Sequence, residues 1–384
     1  MSCVVLSKGD RSDVLRSGPY NSNGQDEREA RSMARGRRPC CALAAARGGS
    51  SLILADCGGG IARRRPGSMR LASLPVSILL LAVSLAAGCQ SSASTEAVFA
   101  DGAQLEVLAD GMGFVEGPVW LESEQRLVFS DIPERKLRSW SRQDGLSLYR
   151  ESPHPNGNML DEEGRLLTCR HGERDLVRTE ADGSLTVLAT GWNGRRFNSP
   201  NDLSVRADGT IWFTDPPWGL PRQREGRELD WNGVYRLDPS TGEVVLLSKE
   251  HTMPNGIGLS PDGQTLYLAD TGGHPSHPDP ARHELPAVVT AYPILADGSL
   301  GAPRWQTPTR CDGMAIDRQG RIYTTSREGI VVLDPTDGRI LTTLPMPESP
   351  ANCTFGESDG MTLFITARTS LYAIRTAVPG ARSR

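Results

Sequence analysis

No C-x-x-C pair occurs anywhere in this 384-residue sequence. Its eight cysteines, Cys3, Cys40, Cys41, Cys57, Cys89, Cys169, Cys311 and Cys353, are scattered, which excludes zinc-ribbon and thioredoxin chemistry and implies no disulfide framework. Cys169, Cys311 and Cys353 each lie beside an apolar run and read as small buried hydrophobes rather than reactive thiols. A dominant charge is missing too. Lys and Arg number 42 against 46 Asp and Glu, and the net -4 gives no field for nucleic acid, so no such partner is expected. Long apolar periods of helical spacing are absent, which argues against a hydrolase built on a doubly wound sheet. What is abundant is punctuation: 41 glycines and 27 prolines fall between short apolar runs, the pattern of many strands joined by turns.

The N-terminal quarter differs in composition. Residues 1–68 are arginine-rich, with Gly-Gly-Gly and Arg-Arg-Arg tracts and no apolar period, so they are expected to be a disordered extension or to lie upstream of a true start at Met69. Met69-Arg70 then precedes an apolar run, Leu71 to Ala87, of about 17 residues, which reads as the charged and hydrophobic regions of an export signal. A transmembrane helix is the alternative, but the run is short and no basic stop-transfer residues follow it. The run ends in Leu85-Ala86-Ala87-Gly88-Cys89, which looks like a bacterial lipobox. Residues 69–88 are therefore expected to be a lipoprotein signal peptide, Cys89 the lipidated residue, and 89–102 a flexible tether. The expected location is the periplasmic face of a bacterial membrane, held there by the lipid.

Turns followed by β-rich strands recur downstream: EEGRLLTC (162–169), ADGTIWFTD (207–215), PDGQTLYLAD (261–270), RQGRIYTTS (318–326) and SDGMTLFIT (358–366), with EQRLVFSD (124–131) as a copy lacking the glycine. Leu105 to Arg375 divided by six gives about 45 residues per unit, the size of a four-stranded propeller blade. A sandwich would lack this longer period. The fold class expected is all-β, a six-bladed β-propeller over 103–376 with a short tail 377–384, and AQLEVL (103–108) is placed to close the ring on the last blade.

Four oxygen-bearing residues occupy the segments where propeller strands enter the central channel: Glu116 in VEGPVW, Asn201 in NSPNDLSV, Asn255 in MPNGIGLS and Asp312 in CDGMAID. In each a polar residue precedes Gly or Asp and then an apolar strand. Two carboxylates and two amide carbonyls suit a hard divalent cation, which makes a metal site on the propeller axis one reading of these residues. Taken singly, Asn-Gly and Asp-Gly are also ordinary turn dipeptides.

These strings, with NSPNDLSVRADGTIWFTDPPWG, PNGIGLSPDGQTLYLADT, the closing TLFITARTSLYAI and PNGNMLDEEGRLLTCRHGERDLVR (155–178), resemble the senescence marker protein, gluconolactonase and luciferin-regenerating enzyme family, in particular its bacterial gluconolactonase branch. The resemblance covers residues 103–376. It implies hydrolysis of a sugar lactone such as D-glucono-1,5-lactone, with one divalent ion, calcium foremost and magnesium, manganese or zinc as alternatives. Glu116, Asn201, Asn255 and Asp312 match the family's metal-binding positions; Asp312 matches its general base. His171 matches a histidine of the bacterial branch and, with Asn201, is implied to contact the substrate; a hydrogen-bonded structural histidine is the alternative for His171. Animal members carry arginine two places before the N-D asparagine, where this chain has Ser199, so their substrate contacts do not carry over here.

Other motifs are read more plainly. His274, His277 and His283 in GGHPSHPDPARHE have irregular, proline-broken spacing that favours a solvated rim loop over a zinc site. Asp131, Asp215 and Asp270 end strands and are expected to bond turns, and Asp202 is read the same way. Gly356 to Gly360 matches G-x-S-x-G, but a strand rather than a helix follows, so Ser358 is expected to be a turn residue. Hydrolysis of aryl esters or organophosphates on the same fold, and a non-catalytic propeller that binds a glycan or protein, are the competing functions.

Overall fold

The computed structural model describes residues 97–381. The expected leader, Cys89 and the first part of the tether lie outside the described residues. Six four-stranded antiparallel sheets hold the strands, apart from a small pair formed by Gly191–Trp192 and Arg195–Arg196. The first strands of the sheets are Val115–Leu121, Pro155–Leu160, Leu203–Val205, Pro254–Leu259, Met314–Ile316 and Pro350–Gly356. Each packs on the next, and the last packs on the first. The molecule is a six-bladed β-propeller with these strands innermost.

The second strand of each blade shows why the sequence runs apolar there. Arg126–Asp131, Leu166–Arg170, Ile211–Asp215, Thr265–Asp270, Ile322–Thr325 and Thr362–Ala367 are buried nearly throughout, because both faces are covered by neighbouring blades. An outermost strand such as Gly145–Glu151 instead alternates in exposure. The core accordingly lies in layers between blades; between the second and third, Phe197, Phe213 and Tyr235 pack with ring centroids 5.2 to 5.4 Å apart.

The repeated Asp-Gly turns join first strands to second. Asp208 and Asp262 each accept the backbone N–H two residues on, at 3.1 and 3.0 Å, and the following Gly209 and Gly263 take left-handed φ of +81 and +65°. Asp359-Gly360 repeats this between Pro350–Gly356 and Thr362–Ala367. Ser358 therefore sits in a strand-to-strand hairpin, as the sequence suggests.

Ring closure also follows expectation. Glu106–Ala109 adds the fourth strand to the last blade, Glu106 opposite Ala373 and Val107 opposite Tyr372. The flanks extend the seam: Phe99 bridges Thr376, Ala377 N donates to Val98 O at 3.0 Å, and Gly380 bridges Asp317.

Candidate active site at the propeller axis

Each innermost strand delivers one polar side chain at or just before its start. Glu116, Asn156 and Asn255 are second in their strands, Asn352 is third, and Asn201 and Asp312 precede theirs by two residues. All are buried except Asp312, which is partly exposed. The structure thus brings the four sequence candidates to one end of the channel and adds Asn156 and Asn352, so that every blade contributes.

The glycines that follow these residues set the spacing. A Cβ on Gly117 would lie 2.2 Å from Asn156 O, on Gly256 2.3 Å from Asp312 O, and on Gly157 2.6 Å from Asn201 O. Backbones of adjacent blades meet here without room for a side chain. Close approach lets them bond directly: Gly157 N donates to Asn201 O at 2.8 Å, Gly256 N to Asp312 O at 2.6 Å and Gly313 N to Ala351 O at 2.8 Å. Hydroxyls fill the other seams, Ser130 Oγ donating to Asn156 O at 2.5 Å and Thr214 Oγ1 to Asn255 O at 2.8 Å. Val115 N to Arg368 O, at 2.8 Å, joins the last blade to the first. The polar-Gly dipeptides are axis elements, not turns.

Within the ring, Asn255 Nδ2 donates to Asp312 Oδ1 at 2.5 Å and Asn352 Nδ2 to Asp202 Oδ2 at 3.3 Å, while Gly117 N caps Glu116 Oε2 at 3.0 Å. Asp202 departs from the sequence reading. One of its oxygens does bond a local backbone group, Leu203 N at 2.9 Å, but the other accepts from Asn352 of the last blade and its charge acts on Glu116 of the first. By contrast Asp131, Asp215 and Asp270 do tie turns: Asp215 accepts from Asn198 N and Ser199 N, and Asp270 from Thr252 N and Met253 N.

Burial, with the charges of Asp312 and Asp202 beside it, holds Glu116 well above the usual carboxylate range. Burial, helped by the charge of Asp312 and opposed by the Leu203 N–H and the Asn352 amide, pushes Asp202 up to about 7, and burial pushes Asp312 up to about 6 against the pull of the Asn255 amide and Arg310. Three carboxylates in one poorly solvated place compete for protons, and the same free energy is open to a divalent cation. Among the described residues no three carboxylate, imidazole or thiol groups form a metal cage by themselves. An ion here would need the amide oxygens as well. The set of hard oxygens, with no sulfur directed at it, fits calcium, magnesium or manganese better than zinc.

His171 lies beside this ring, 3% exposed, with Nδ1 3.3 Å from Asn156 Nδ2. Burial, reinforced by His154, pushes it down to about 4, so it is neutral near pH 7. Ser199 donates to Pro216 O at 2.5 Å and accepts from Gly219 N at 2.9 Å, fixing a loop where animal members carry arginine. His274, His277 and His283 do not converge on a common point. Each ring bonds within its own loop, as Asp279 N to His277 Nδ1 at 3.0 Å and His283 Nε2 to His277 O at 2.9 Å show, and His277 is buried rather than solvated.

Two missed residues carried a usable signal to different degrees. Asn156-Gly157 repeats the Pro-Asn-Gly of Asn255-Gly256 and could have been found from it, whereas Asn352 is followed by cysteine and leaves no pattern.

The model of the SMP-30/Gluconolactonase/LRE-like region matches residues 114–369. The chain is similar to the gluconolactonase of Zymomonas mobilis, 32% identical over 305 residues covering 72% of this chain and 82% of that protein. Among solved structures it is similar to a gluconolactonase of Xanthomonas campestris, at 35% identity and a TM-score of 0.65, covering 74% of this chain and 93% of the other. A second solved structure, a putative gluconolactonase, superimposes with a TM-score of 0.64 at 31% identity, covering 74% and 95%.

Proposed function

Since this chain belongs to the SMP-30/gluconolactonase/LRE-like family, we propose that it hydrolyses a sugar lactone, of the class of D-glucono-1,5-lactone, to the open aldonic acid with the help of one divalent ion. The observation that carries this reading is the axial ring, in which buried Glu116 and Asp202 and partly exposed Asp312 gather with amide groups drawn from the remaining blades. A purely structural channel gains nothing from such a concentration of acid.

Glu116, Asn201, Asn255 and Asp312 are the residues that would hold the ion, calcium foremost. Bound there, it supplies Lewis acidity toward the lactone carbonyl and favours ionisation of the attacking water. The chain's own groups do the rest. Asp312, oriented by the Asn255 amide, takes the proton of the water as it adds to the carbonyl carbon, and returns it to the ring oxygen when the C–O bond breaks. Burial that raises Asp312 to about 6 makes it a better base than a solvated aspartate while leaving it ionised near pH 7. In this reading neutral His171 and the Asn201 amide bond sugar hydroxyls. The leader at 69–88 and Cys89 place the enzyme, in this reading, on the periplasmic face of a membrane as a lipoprotein.

The test is a panel of lactones, aryl esters and phosphotriesters assayed with and without chelator and with each metal restored. Chelator-sensitive turnover of aldonolactones supports the proposal. Full activity in chelator, or turnover of esters with none of lactones, overturns it.

A further inference from the structure

The seam between the first two blades, at the same end of the propeller as the carboxylates, contains a cation without a counter-charge. Arg150 lies near the end of the outermost strand of the first blade, Gly145–Glu151. A β-bulge there sets Leu148 opposite Arg138 and Arg150 opposite Leu137, with Tyr149 passed over. Because Leu137 and Arg138 point to opposite faces, the bulge takes Arg150 off the exposed face of Leu148 and turns it to the buried side of Leu137, toward the second blade.

Its guanidinium arrives without a partner. Nε and Nη2 are both buried and make no hydrogen bond, and two residues on, the hydroxyl of Ser152, itself only 2% exposed, is unpartnered as well. The titratable groups that act on Arg150 are Tyr149 from its own strand and Arg170 from the second blade, which carries the same charge. Arg170 itself is already paired, with Asp175, through bonds of 2.9 and 2.5 Å. Ser152 N donates to Arg135 O at 2.9 Å, and His154, half-buried and near Arg135, stands with its ring centroid 6.2 Å from that of His171. The seam thus adjoins the axial site through a run of donors and cations.

Arg150 as a whole is half-buried, but leaving its buried N–H groups unpaired is costly, and native proteins seldom orphan such groups without a bound ion or water to take them. Nε and Nη2 form the edge of the guanidinium fork that grips two oxygens of a carboxylate or phosphate side by side. The Ser152 hydroxyl, two residues on, is a further unpartnered donor that an oxyanion held there could use.

We propose that Arg150 and Ser152 form an oxyanion subsite and that the oxyanion, a phosphate or carboxylate, is carried by the lactone itself, so that the preferred substrates are acidic sugar lactones. The second half rests on the lactonase reading; the first does not.

The purified protein is melted in low-millimolar sulfate, a dianion that leaves divalent metals in solution, and is assayed on neutral glucono-1,5-lactone beside its 6-phosphate and a carboxylate-bearing glucarolactone. Sulfate should raise the melting temperature of the wild type and not of Arg150→Met, which keeps an apolar stem, and Ser152→Ala should weaken sulfate binding several-fold. Without sulfate, Arg150→Met should be at least as stable as wild type, since it removes a half-buried charge whose buried N–H groups have no partner. KM for the acidic lactones should lie at least about tenfold below that for the neutral one in the wild type, with the advantage lost in Arg150→Met. Equal sulfate stabilisation of wild type and Arg150→Met, or strong destabilisation of Arg150→Met without sulfate, overturns the subsite. Sulfate binding that depends on Arg150 with no preference among lactones overturns the substrate-borne half and makes the ligand a free anion. Failure to hydrolyse any lactone counts against the proposed activity and leaves the sulfate result to decide the subsite.

Discussion

Replacing Gly117 by alanine tests the claim that the axial glycines are spacers between blades. The new Cβ would sit 2.2 Å from Asn156 O, 2.7 Å from Gly157 Cα and 2.9 Å from Asn156 C, all backbone atoms of the next blade. No side chain can swing away, so the two innermost strands must separate by most of an ångström. Forcing backbone apart in a packed interior costs about 1–3 kcal/mol, and the left-handed φ of +50° at this position adds about 1–2 kcal/mol for a residue with a Cβ. Together Gly117→Ala should lose about 2–5 kcal/mol in urea unfolding, or roughly 5–15 °C in melting temperature. Gly209→Ala is the matched control: its φ is +81° but nothing lies within 4 Å of the added carbon, so it bears the conformational cost alone. If the two variants unfold within about 0.5 kcal/mol of each other, close approach is not what the axial glycine provides.

Other outcomes follow from the same structure. Asp312→Asn keeps shape and an oxygen donor but removes the base, so kcat on the favoured lactone should fall about 10²–10⁴-fold with the melting temperature little changed; a loss below tenfold would remove Asp312 from proton transfer. Without metal, Glu116, Asp202 and Asp312 bind protons more tightly folded than unfolded, so stability should fall as pH rises through about 4 to 7, and the stabilisation by added calcium should grow over that window. Calorimetry giving the same calcium effect at about pH 5 and about pH 8 would contradict this. Ser358→Ala should leave activity intact, and a dead variant would return the G-x-S-x-G motif to consideration. Labelled fatty acid should enter the wild type and not Cys89→Ser; no label in either would refute the lipid anchor.

The propeller was legible because its repeat is written in local chemistry. Asp-Gly turns at similar spacing, each followed by a strand buried on both faces, recur along the chain, and closure by residues near 105 follows from the need to cover an edge. Glu116, Asn255 and Asp312 were legible through the glycine that follows each and Asn201 through the aspartate after it, whereas Asn156-Gly157 carried the same signal as Asn255-Gly256 and was passed over. Asn352 was not legible, since Cys353 follows it and the amide is recognised only by reaching Asp202 across 150 positions of sequence. Asp202 was misread because a carboxylate before a strand looks the same whether it caps its own backbone or faces a channel, and here it does both. Arg150 carried no signal at all: the bulge that turns it inward shifts parity by one residue, which a strictly alternating pattern conceals.

The strand Glu106–Ala109 that completes the last blade has a consequence for how the molecule is made. Five blades are built from consecutive hairpins and can form as their residues become available, but the sixth waits for Ala373 to meet Glu106 from the far end of the chain. Until then the nascent ring exposes two raw sheet edges, one on the first blade's side of the gap and one on the unfinished blade, each able to pair with a stranger. A chain shortened by a few residues at either margin of the seam would leave the last blade a strand short, with the ring held there only by the packing of the last blade on the first. Moving the termini to a hairpin within a middle blade, while linking the native ends, should turn that slow last step into a local one.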